Sequence, residues 1–289
     1  MDDSPAAIRD YLAENDIAAR KRWGQNFLFD RPARELLIDL LQVKPGASVW
    51  EVGPGLGAMT RGLLDAGTMV TAFEIDHGMV RHLGRRFHAE LGEPEPGDRH
   101  PKVQIIEGDA VKTIPGAIER YGNPEAILGN LPYNSAGAIL WAALNRDEPV
   151  ERLVCTVQKE VADRMVAEPG SRNFGAFSLL CRLDHKPKLV RTIPGGCFYP
   201  RPNVTSAIVL LDRVGQAVHP DRKQVLSLAN RAFSQPRKTL SNNLRGLCVG
   251  GRGETDERIR AAGVDPSRRP SSLSIEEMCS TAQVFADRL

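Results

Sequence analysis

Residues 127–134 read Ile-Leu-Gly-Asn-Leu-Pro-Tyr-Asn, an apolar segment that runs directly into the tetrapeptide Asn130-Leu131-Pro132-Tyr133. The Asn130 amide oxygen can accept a hydrogen bond from an exocyclic amine, and the Tyr133 ring can stack on a base. Pro132 has no N–H and a fixed φ, so it stiffens the loop. The tetrapeptide therefore predicts a site for a flipped-out base. A tight strand-to-helix turn with an incidental tyrosine is the alternative interpretation.

The group that this tetrapeptide suits is the exocyclic amine of a base, such as that of adenine. That amine is a poor nucleophile, because its lone pair is delocalised into the ring. Two acceptors for its hydrogens would favour a pyramidal nitrogen whose lone pair is exposed and aimed at an electrophile. Asn130 supplies one acceptor, and the backbone carbonyl of Leu131 or Pro132 supplies the other. We therefore predict that residues 130–133 are catalytic, without a general base.

A glycine-rich turn lies upstream of this tetrapeptide. Residues 47–52 have the pattern of a buried strand, and Gly-Pro-Gly-Leu-Gly at 53–57 leads from them into a helical stretch. Glycines at this place let the backbone approach a ligand closely and let a helix begin beneath it. Gly53, Gly55 and Ala58 also satisfy the dinucleotide fingerprint, so a nicotinamide dehydrogenase is a second interpretation of this turn.

Candidate ligands follow four consecutive predicted strands. These strands and residues are 47–52 with Gly53, 68–73 with Glu74, 103–106 with Asp109, and 126–128 with Asn130. Ligands bind at the carboxyl ends of strands in an open parallel sheet, so we expect all four residues at one crevice. The position of Glu74 suits a ribose diol, whereas Asp109 suits an adenine amine and a turn about equally.

The composition is that of an ordinary folded protein. The chain has 289 residues, of which 42% are hydrophobic and 26% are charged. That length predicts one large domain and one small domain. The acidic start, Met-Asp-Asp-Ser-Pro, and the absence of a long apolar run predict no secretory signal and no membrane association. The five cysteines have no paired spacing, which predicts reduced thiols, a cytoplasmic protein and no metal site.

The net charge is only +2, but two stretches, 20–34 and 216–252, each carry a local excess of basic residues, against Asp30 and Asp221 respectively. Their members are Arg20, Lys21, Arg22, Arg31 and Arg34, and then Arg222, Lys223, Arg231, Arg237, Lys238, Arg245 and Arg252. Charge runs are usually solvated faces. Two such stretches on either side of a base-sized site instead favour contact with the phosphates of a nucleic acid. Arg237 and Lys238 are the residues that we expect to bind nucleic acid.

Seven segments carry a family resemblance. They are Lys-Arg-Trp-Gly-Gln-Asn-Phe-Leu at 21–28, Glu-Val-Gly-Pro-Gly-Leu-Gly at 51–57, Glu-Ile-Asp at 74–76, Gly-Asp-Ala at 108–110, Gly-Asn-Leu-Pro-Tyr-Asn at 129–134, Gln-Lys-Glu-Val at 158–161 and Phe-Tyr-Pro-Arg-Pro-Asn-Val at 198–204. This set closely resembles the KsgA family of S-adenosylmethionine-dependent ribosomal RNA adenine dimethyltransferases. The resemblance runs from about residue 18 to residue 211 and continues into a basic helical tail.

The resemblance implies an α/β fold of the class I methyltransferase (Rossmann-like) type. Its mostly parallel seven-stranded sheet would end in an antiparallel strand, and a small C-terminal helical domain would follow. The implied catalytic domain spans 1–213 and includes an N-terminal lid segment, and the implied RNA-binding domain spans 214–289. A polar loop rich in proline and glycine at 88–101 is interpreted as a surface insertion without a catalytic role.

The resemblance also implies S-adenosylmethionine as the cofactor. The cofactor-binding residues that it implies are Asn26, Leu28, Gly53, Gly55, Glu74, Asp109 and Asn130. Asn26 and Leu28 would form a lid, and Gly53 would approach the methionine part. Glu74 would bind the ribose hydroxyls, and Asp109 would bind the adenine amine.

For the substrate, we expect Tyr133 to stack on the base and Phe198 to cover its opposite face. Phe174 suits the site entrance and the protein core equally. The implied partner is 16S rRNA in the immature small (30S) ribosomal subunit, dimethylated at two adjacent adenosines near its 3′ end by a monomeric enzyme. The alternatives are a 23S rRNA methyltransferase of the resistance type and a non-catalytic assembly factor. Phe-Ser-Gln-Pro-Arg-Lys-Thr at 233–239 favours the small-subunit group.

Three positions depart from the family pattern. Trp23 stands where Phe or Leu is usual, Ser135 where Ile is common, and Asn203 where Lys is frequent. The first change is conservative. The other two leave the implied cofactor site intact and bear on the positioning of the substrate.

Overall fold

The computed structural model describes residues 5–14, 24–92, 101–215 and 222–289. The chain forms two compact units: Met1–Ala162 with Lys188–Asp212, and Asp163–Pro187 with Arg213–Leu289. The predicted second domain begins at residue 214, and the segment Arg213–Leu289 of the smaller unit begins one residue earlier. Segment 163–187, by contrast, belongs to the smaller unit and not to the predicted first domain. Trp23, the basic residues at 20–22 and most of the 88–101 loop lie outside the described residues.

Most strands of the described residues belong to one sheet. In chain order the strands are β1 (Phe27–Leu28), β2 (Ser48–Val52), β3 (Met69–Glu74), β4 (Val103–Glu107), β5 (Ala126–Asn130), β6 (Arg152–Gln158), β7 (His185–Ile193), β8 (Phe198–Tyr199) and β9 (Ser206–Arg213). Seven of them form a sheet in the order β4-β3-β2-β5-β6-β9-β7. Strands β2 to β6 pair in parallel, and β9 pairs antiparallel with β6. This confirms the predicted mostly parallel sheet with its reversed strand.

Helices follow the ends of the parallel strands. The helices between β1 and β7 are α2 (Arg31–Asp39), α3 (Ala58–Asp65), α4 (His77–Arg86), α5 (Ala110–Tyr121), α6 (Ala136–Leu144), α7 (Lys159–Met165) and α8 (Ala176–Leu183). Asp76 caps α4, because its Oδ1 accepts from Gly78 N at 2.8 Å, and Asp109 caps α5 in the same way. Such caps satisfy N–H groups that have no partner within the helix. They fix how the chain leaves β3 and β4.

The N-terminal helix packs against the glycine-rich turn and the two-stranded sheet. Helix α1 spans Pro5–Glu14, and β1 pairs antiparallel with β8. Ile8 and Leu12 of α1 are buried in one cluster with Phe27 and Leu56. Their burial removes apolar surface from water, which attaches the helix to the larger unit.

The smaller unit is helical. After α8 its helices are α9 (Arg222–Ala232), α10 (Leu240–Leu244), α11 (Gly251–Ala261) and α12 (Ile275–Val284). Phe174, in segment 163–187, is buried, and its ring centroid lies 6.0 Å from that of Phe233 at an interplanar angle of 71°. Helix α8 packs against α9 and α12. Segment 163–187 belongs to this unit because its apolar side chains fill the helical core.

The cysteines of this chain are not paired with one another. None of the five cysteines forms a disulfide, and burial raises the pKa of Cys181 to about 12, so this residue stays a neutral thiol. Among the described residues, no three His, Cys, Asp or Glu side chains come together as metal ligands would. No helix within the same ranges has the length and apolarity that crossing a bilayer requires.

A buried carboxyl lies under the glycine-rich turn. Glu51 in β2 has no exposed surface, and its Oε2 accepts a hydrogen bond of 2.6 Å from the Thr60 hydroxyl of α3. Its Oε1 has no hydrogen-bond partner among the residues that the structure describes. Burial raises the pKa of Glu51 to about 7, because the charged form loses its hydration.

We predict that the substitution Glu51→Gln stabilises the protein more near pH 8 than near pH 5. The folded-state pKa of Glu51 lies above its ordinary value of 4.5, so wild-type stability is lost as the pH rises from about 4.5 to about 7. Gln cannot ionise and can still accept from Thr60. Urea unfolding at both pH values should show the E51Q advantage in free energy of unfolding growing by on the order of 2 kcal/mol. An advantage that does not change with pH would contradict this account.

Candidate active site

The carboxyl ends of β2 to β5 border a cavity of about 220 Å³. The N-terminal segment 24–27 completes its wall. The predicted site residues that line this cavity are Asn26, Gly53, Gly55, Glu74, Asp109, Asn130, Leu131, Pro132 and Tyr133. The structure therefore brings the four strand ends together with the N-terminal segment, as the parallel sheet requires. The role of each residue toward a ligand stays a prediction.

The glycine-rich turn adopts a conformation that favours glycine. Gly53, Gly55 and Gly57 have φ values of +73°, +55° and +76°. A Cβ added at Gly55 would lie 3.1 Å from the Phe27 ring, and one added at Gly57 would lie 2.6 Å from the Phe87 ring. The turn therefore needs glycine both for its backbone and for the rings packed against it.

Two carboxyl groups lie on the side of the cavity formed by β3 and β4. Glu74 is 5% exposed, and its Oε1 accepts from Asp76 N at 2.9 Å. Burial raises the pKa of Glu74 to about 7, although hydrogen bonds from backbone N–H groups act to lower this pKa. Asp109 Oδ1 accepts from Val111 N at 3.0 Å and caps α5. A carboxylate has two oxygens, so the turn role and the ligand role that are predicted for Asp109 are compatible.

One hydrogen bond joins the two motifs that are most distinctive in the sequence. Asn130 Nδ2 donates to the Asn26 carbonyl at 2.8 Å, across 104 positions of the chain. Asn26 Nδ2 in turn donates to the Gly24 carbonyl at 3.0 Å. Because the Asn130 nitrogen is engaged in this way, the orientation of its carboxamide is fixed. Its oxygen is the acceptor that can serve a ligand.

The structure also distinguishes the two carbonyls that could be the second acceptor. The Pro132 carbonyl accepts from Ser135 N at 3.2 Å and from Ala136 N at 2.9 Å, at the start of α6. A carbonyl oxygen has two lone pairs, and these bonds use both. Of the two predicted candidates, the Leu131 carbonyl is therefore the better acceptor for an amine hydrogen.

Tyr133 is held from outside its own loop. Its hydroxyl forms a hydrogen bond with the hydroxyl of Ser206, the first residue of β9, which has no exposed surface. The half-buried position of Tyr133 raises its pKa, and the bond to Ser206 partly opposes that rise. Sequence reasoning missed Ser206. The available signal was a pair of small hydroxyl residues, Thr205 and Ser206, near the start of an otherwise apolar predicted strand, 204–211.

Apart from Arg237 and Lys238 of the smaller unit, three predicted site residues do not line this cavity. Leu28 and Phe198 face each other across β1 and β8 and lie in the core cluster, with 6% and 2% of their surface exposed. Phe174 packs in the core of the smaller unit. A ring buried as deeply as Phe198 has no face to offer a base. Phe27, the neighbour of Leu28, does line the cavity, because successive strand residues point in opposite directions. The other aromatic residues of the lining are Phe73 and Tyr133.

In the smaller unit, the turn at 233–239 carries the two predicted RNA-binding residues. Arg237 and Lys238 are exposed there. The side chain of Asn243 organises the turn, because its Oδ1 accepts from Gln235 N at 3.0 Å and its Nδ2 donates to Gln235 O at 3.2 Å. Asn243 is thus a positioning residue that sequence reasoning did not identify.

Two other residues of the basic stretches are not exposed, since Arg34 is buried and Arg222 is partly buried. Arg34 Nη1 donates to the carbonyls of Leu28 at 3.2 Å and Phe29 at 3.1 Å. Arg222 forms an ion pair with Asp184. Both arginines therefore take part in packing, and the prediction that they face solvent phosphates is wrong.

Comparison with known proteins identifies the family. The family described as "Ribosomal RNA adenine dimethylase" matches residues 17–287. The chain belongs to this family. Ribosomal RNA small subunit methyltransferase A of Treponema denticola is 39% identical over 287 residues, which are 98% of this chain and 95% of that protein. The protein of the same name from Myxococcus xanthus is 37% identical, with coverages of 94% and 93%. The resemblance found in the sequence is confirmed.

Solved structures share the fold of this family member. A dimethyladenosine transferase from Plasmodium falciparum superposes with a TM-score of 0.72 at 21% identity, covering 90% of this chain and 97% of that chain. The 23S rRNA methyltransferase ErmE has a TM-score of 0.63 at 21% identity, with coverages of 90% and 100%. These similarities confirm the predicted class I methyltransferase fold.

We predict that Ser206→Ala raises the pKa of Tyr133. The substitution removes the hydrogen bond that lowers this pKa and leaves the burial that raises it. NMR titration of protein labelled at tyrosine Cζ would measure the change, with Tyr133→Phe identifying the resonance. A pKa unchanged by S206A would show that Ser206 does not hold the phenol.

Proposed function

We propose that this protein dimethylates N6 of two adjacent adenosines near the 3′ end of 16S rRNA in the immature small (30S) ribosomal subunit, using S-adenosylmethionine. The family and the shared name of its relatives support the substrate. The observation that carries the proposal is the end of β5. There the Asn130 carboxamide and the Tyr133 ring line the same cavity as Glu74 and Asp109.

The residues around the cavity fit S-adenosylmethionine. Glu74 suits the ribose hydroxyls, and Asp109 suits the adenine amine. The bare backbone of Gly53 and Gly55 suits close approach of the methionine part. When bound, this cofactor supplies an electrophilic methyl group.

The residues after β5 would prepare the adenine amine. The Asn130 oxygen and the Leu131 carbonyl accept its two hydrogens and so direct the nitrogen lone pair toward the methyl donor. Tyr133 stacks on the base, a contact worth about 1–3 kcal/mol. The alkylated amine loses its proton readily to water, which agrees with a loop that carries no His or carboxylate.

Specific observations bear on the two alternative functions, a 23S rRNA methyltransferase and a non-catalytic assembly factor. ErmE has the same fold, so the fold does not separate a 23S rRNA substrate from a 16S rRNA substrate. The names of the relatives and the segment at 233–239 favour the small subunit. A non-catalytic assembly factor would not need the orientation of the Asn130 carboxamide that the bond to Asn26 imposes.

The substrate is tested with labelled S-adenosylmethionine and small subunits isolated from cells that lack the enzyme. We expect label in N6,N6-dimethyladenosine at two neighbouring positions of 16S rRNA, and none in large-subunit RNA. Label found only in large-subunit RNA would favour the resistance-type alternative.

The matched variant for this experiment is Asn130→Ala. We expect methyl transfer to fall by about 10²- to 10³-fold, as on loss of one oriented polar group in an active site, while cofactor binding persists. Calorimetric titration with the cofactor checks that the variant still binds. Ribosome assembly that proceeds normally with N130A would show that RNA binding, rather than methylation, is the main function.

The RNA-binding prediction concerns Arg237 and Lys238. Replacing both with Ala should weaken RNA binding and reduce the slope of log K against log salt by about 0.7 to 0.9 for each phosphate that is no longer neutralised. The control replaces Arg260 and Arg269, which are also exposed in the smaller unit but lie outside the predicted basic stretch. Equal effects of the two double variants would indicate a diffuse charge effect rather than a defined RNA-binding surface.

A further inference from the structure

Helix α4 carries exposed positive charge beside the cavity. The helix follows β3 directly, and Glu74 and Ile75, which precede its cap, line the cavity. On the outer surface of α4, Arg81 and Arg85 are exposed. They are four residues apart and therefore lie on one face of the helix, about 6 Å apart along its axis. This face belongs to the larger unit and lies outside both basic stretches of the sequence.

Neither of these guanidinium groups is neutralised within the part of the chain that the structure describes. No described side chain forms an ion pair or a hydrogen bond with the side chain of Arg81 or Arg85. Residues 77–86 contain no Asp or Glu. The surface helix α11, by contrast, contains both signs of charge, and its Arg258 Nε lies 3.3 Å from Glu254 Oε1. The charge of Arg81 and Arg85 is therefore available to an external partner.

The helix dipole explains only part of this charge. A cation in the last turn of a helix is favoured by the partial negative charge there. Arg85 lies in that turn of α4, together with Arg86. Arg81 lies a turn further from the end, where the effect of the dipole has faded. A partner outside the chain is the better explanation for the pair Arg81 and Arg85.

A glycine lies between the two arginines. Gly84 is in the interior of α4, where glycine is less favourable than alanine. Its φ is not in the left-handed region, and a Cβ added to it would meet no atom of the described residues within 4 Å. Neither the backbone conformation nor the packing of those residues requires glycine here. Bare backbone at such a position permits the close approach of a ligand.

We propose that the face of α4 formed by Arg81, Gly84 and Arg85, the α4 face, binds the phosphate backbone of the RNA next to the base that enters the cavity. This inference rests on the proposed function, which supplies the RNA. Guanidinium groups bind phosphate through paired, charge-assisted hydrogen bonds. Arg81 and Arg85 lie about 8 Å and about 14 Å from Asp76 along the helix axis, so they can contact successive phosphates of one strand.

The first test measures binding to small subunits isolated from cells that lack the enzyme, at several salt concentrations. Arg81→Gln combined with Arg85→Gln should reduce the slope of log K against log salt by about 1.4 to 1.8, which is about 0.7 to 0.9 for each of two phosphates. The affinity for S-adenosylmethionine, measured by calorimetry, should not change, because neither arginine lines the cavity.

The matched control is Lys188→Gln combined with Arg191→Gln. Both residues are exposed on β7, which lies at the opposite end of the sheet order from β3 and β4. Their loss changes the net charge by the same amount, and the salt slope should stay at its wild-type value. Equal slopes for the two double variants would show a diffuse effect of charge and overturn the proposal.

The second test uses Gly84→Met, which fills the open space above the helix with a good helix former. The variant should raise the thermal unfolding midpoint by about 1–3 °C. It should nevertheless weaken binding to the small subunit, because its side chain occupies the place of the RNA backbone. Gly116→Met is the control, since Gly116 of α5 also has no described atom within 4 Å of an added Cβ. Subunit binding by Gly84→Met that equals that of Gly116→Met would contradict contact at the α4 face.

A crosslink identifies the class of molecule that lies on the α4 face. His88, which is exposed and three residues beyond Arg85, is replaced by the photoreactive residue p-benzoylphenylalanine, so both arginines stay in place. After irradiation with small subunits, the protein should be crosslinked to 16S rRNA. Crosslinks to a ribosomal protein alone would mean that the partner is a protein, and the proposal would fall.

The failure of this inference and the failure of the proposed function have different signatures. Wild-type protein that methylates 16S rRNA, together with α4 variants that bind the subunit as the controls do, would remove the α4 face as an RNA-binding surface and leave the function intact. Wild-type protein that methylates only large-subunit RNA would contradict the proposed function itself.

Discussion

The hydrogen bond from Asn130 Nδ2 to the Asn26 carbonyl is the contact on which the site depends. It connects the end of β5 to the segment before β1 and fixes which side of the carboxamide accepts. Without it, the carboxamide could rotate and present either its donor or its acceptor to a base. The same contact closes the wall of the cavity, because Asn26 and Asn130 both line it. The same bond therefore orients the carboxamide and joins two elements of the cavity wall.

The part of the site that follows from strand periodicity could be predicted from sequence. The ends of β2 to β5 bear Gly53, Glu74, Asp109 and Asn130, and parallel pairing necessarily collects such ends at one edge. Hydrogen-bond partners from distant elements could not be predicted in this way. The Pro132 carbonyl accepts hydrogen bonds from N–H groups at the start of α6. A sequence pattern does not predict which group donates to a given carbonyl.

Burial was the other property that sequence patterns did not reveal. Phe198 lies within the proline-rich segment 194–203 and is therefore predicted to be a loop residue, yet its pairing with β1 places it in the core. Arg34 stands in a run of positive charge, but α2 turns it inward, toward the carbonyls of Leu28 and Phe29. Segment 163–187 joins the smaller unit through packing with α9 and α12. In each case, long-range contacts override the local pattern.

The raised pKa of Glu74 couples ligand binding to protons. With a value near 7, this carboxyl is partly protonated at neutral pH, and its exposure is only 5%. A ribose diol that donates to the carboxylate favours the ionised form, so complex formation expels part of a proton into the buffer. The apparent enthalpy of binding then depends on the ionisation heat of the buffer. Under the proposed function, the carboxyl that binds the sugar is also an acid whose ionisation reports occupancy.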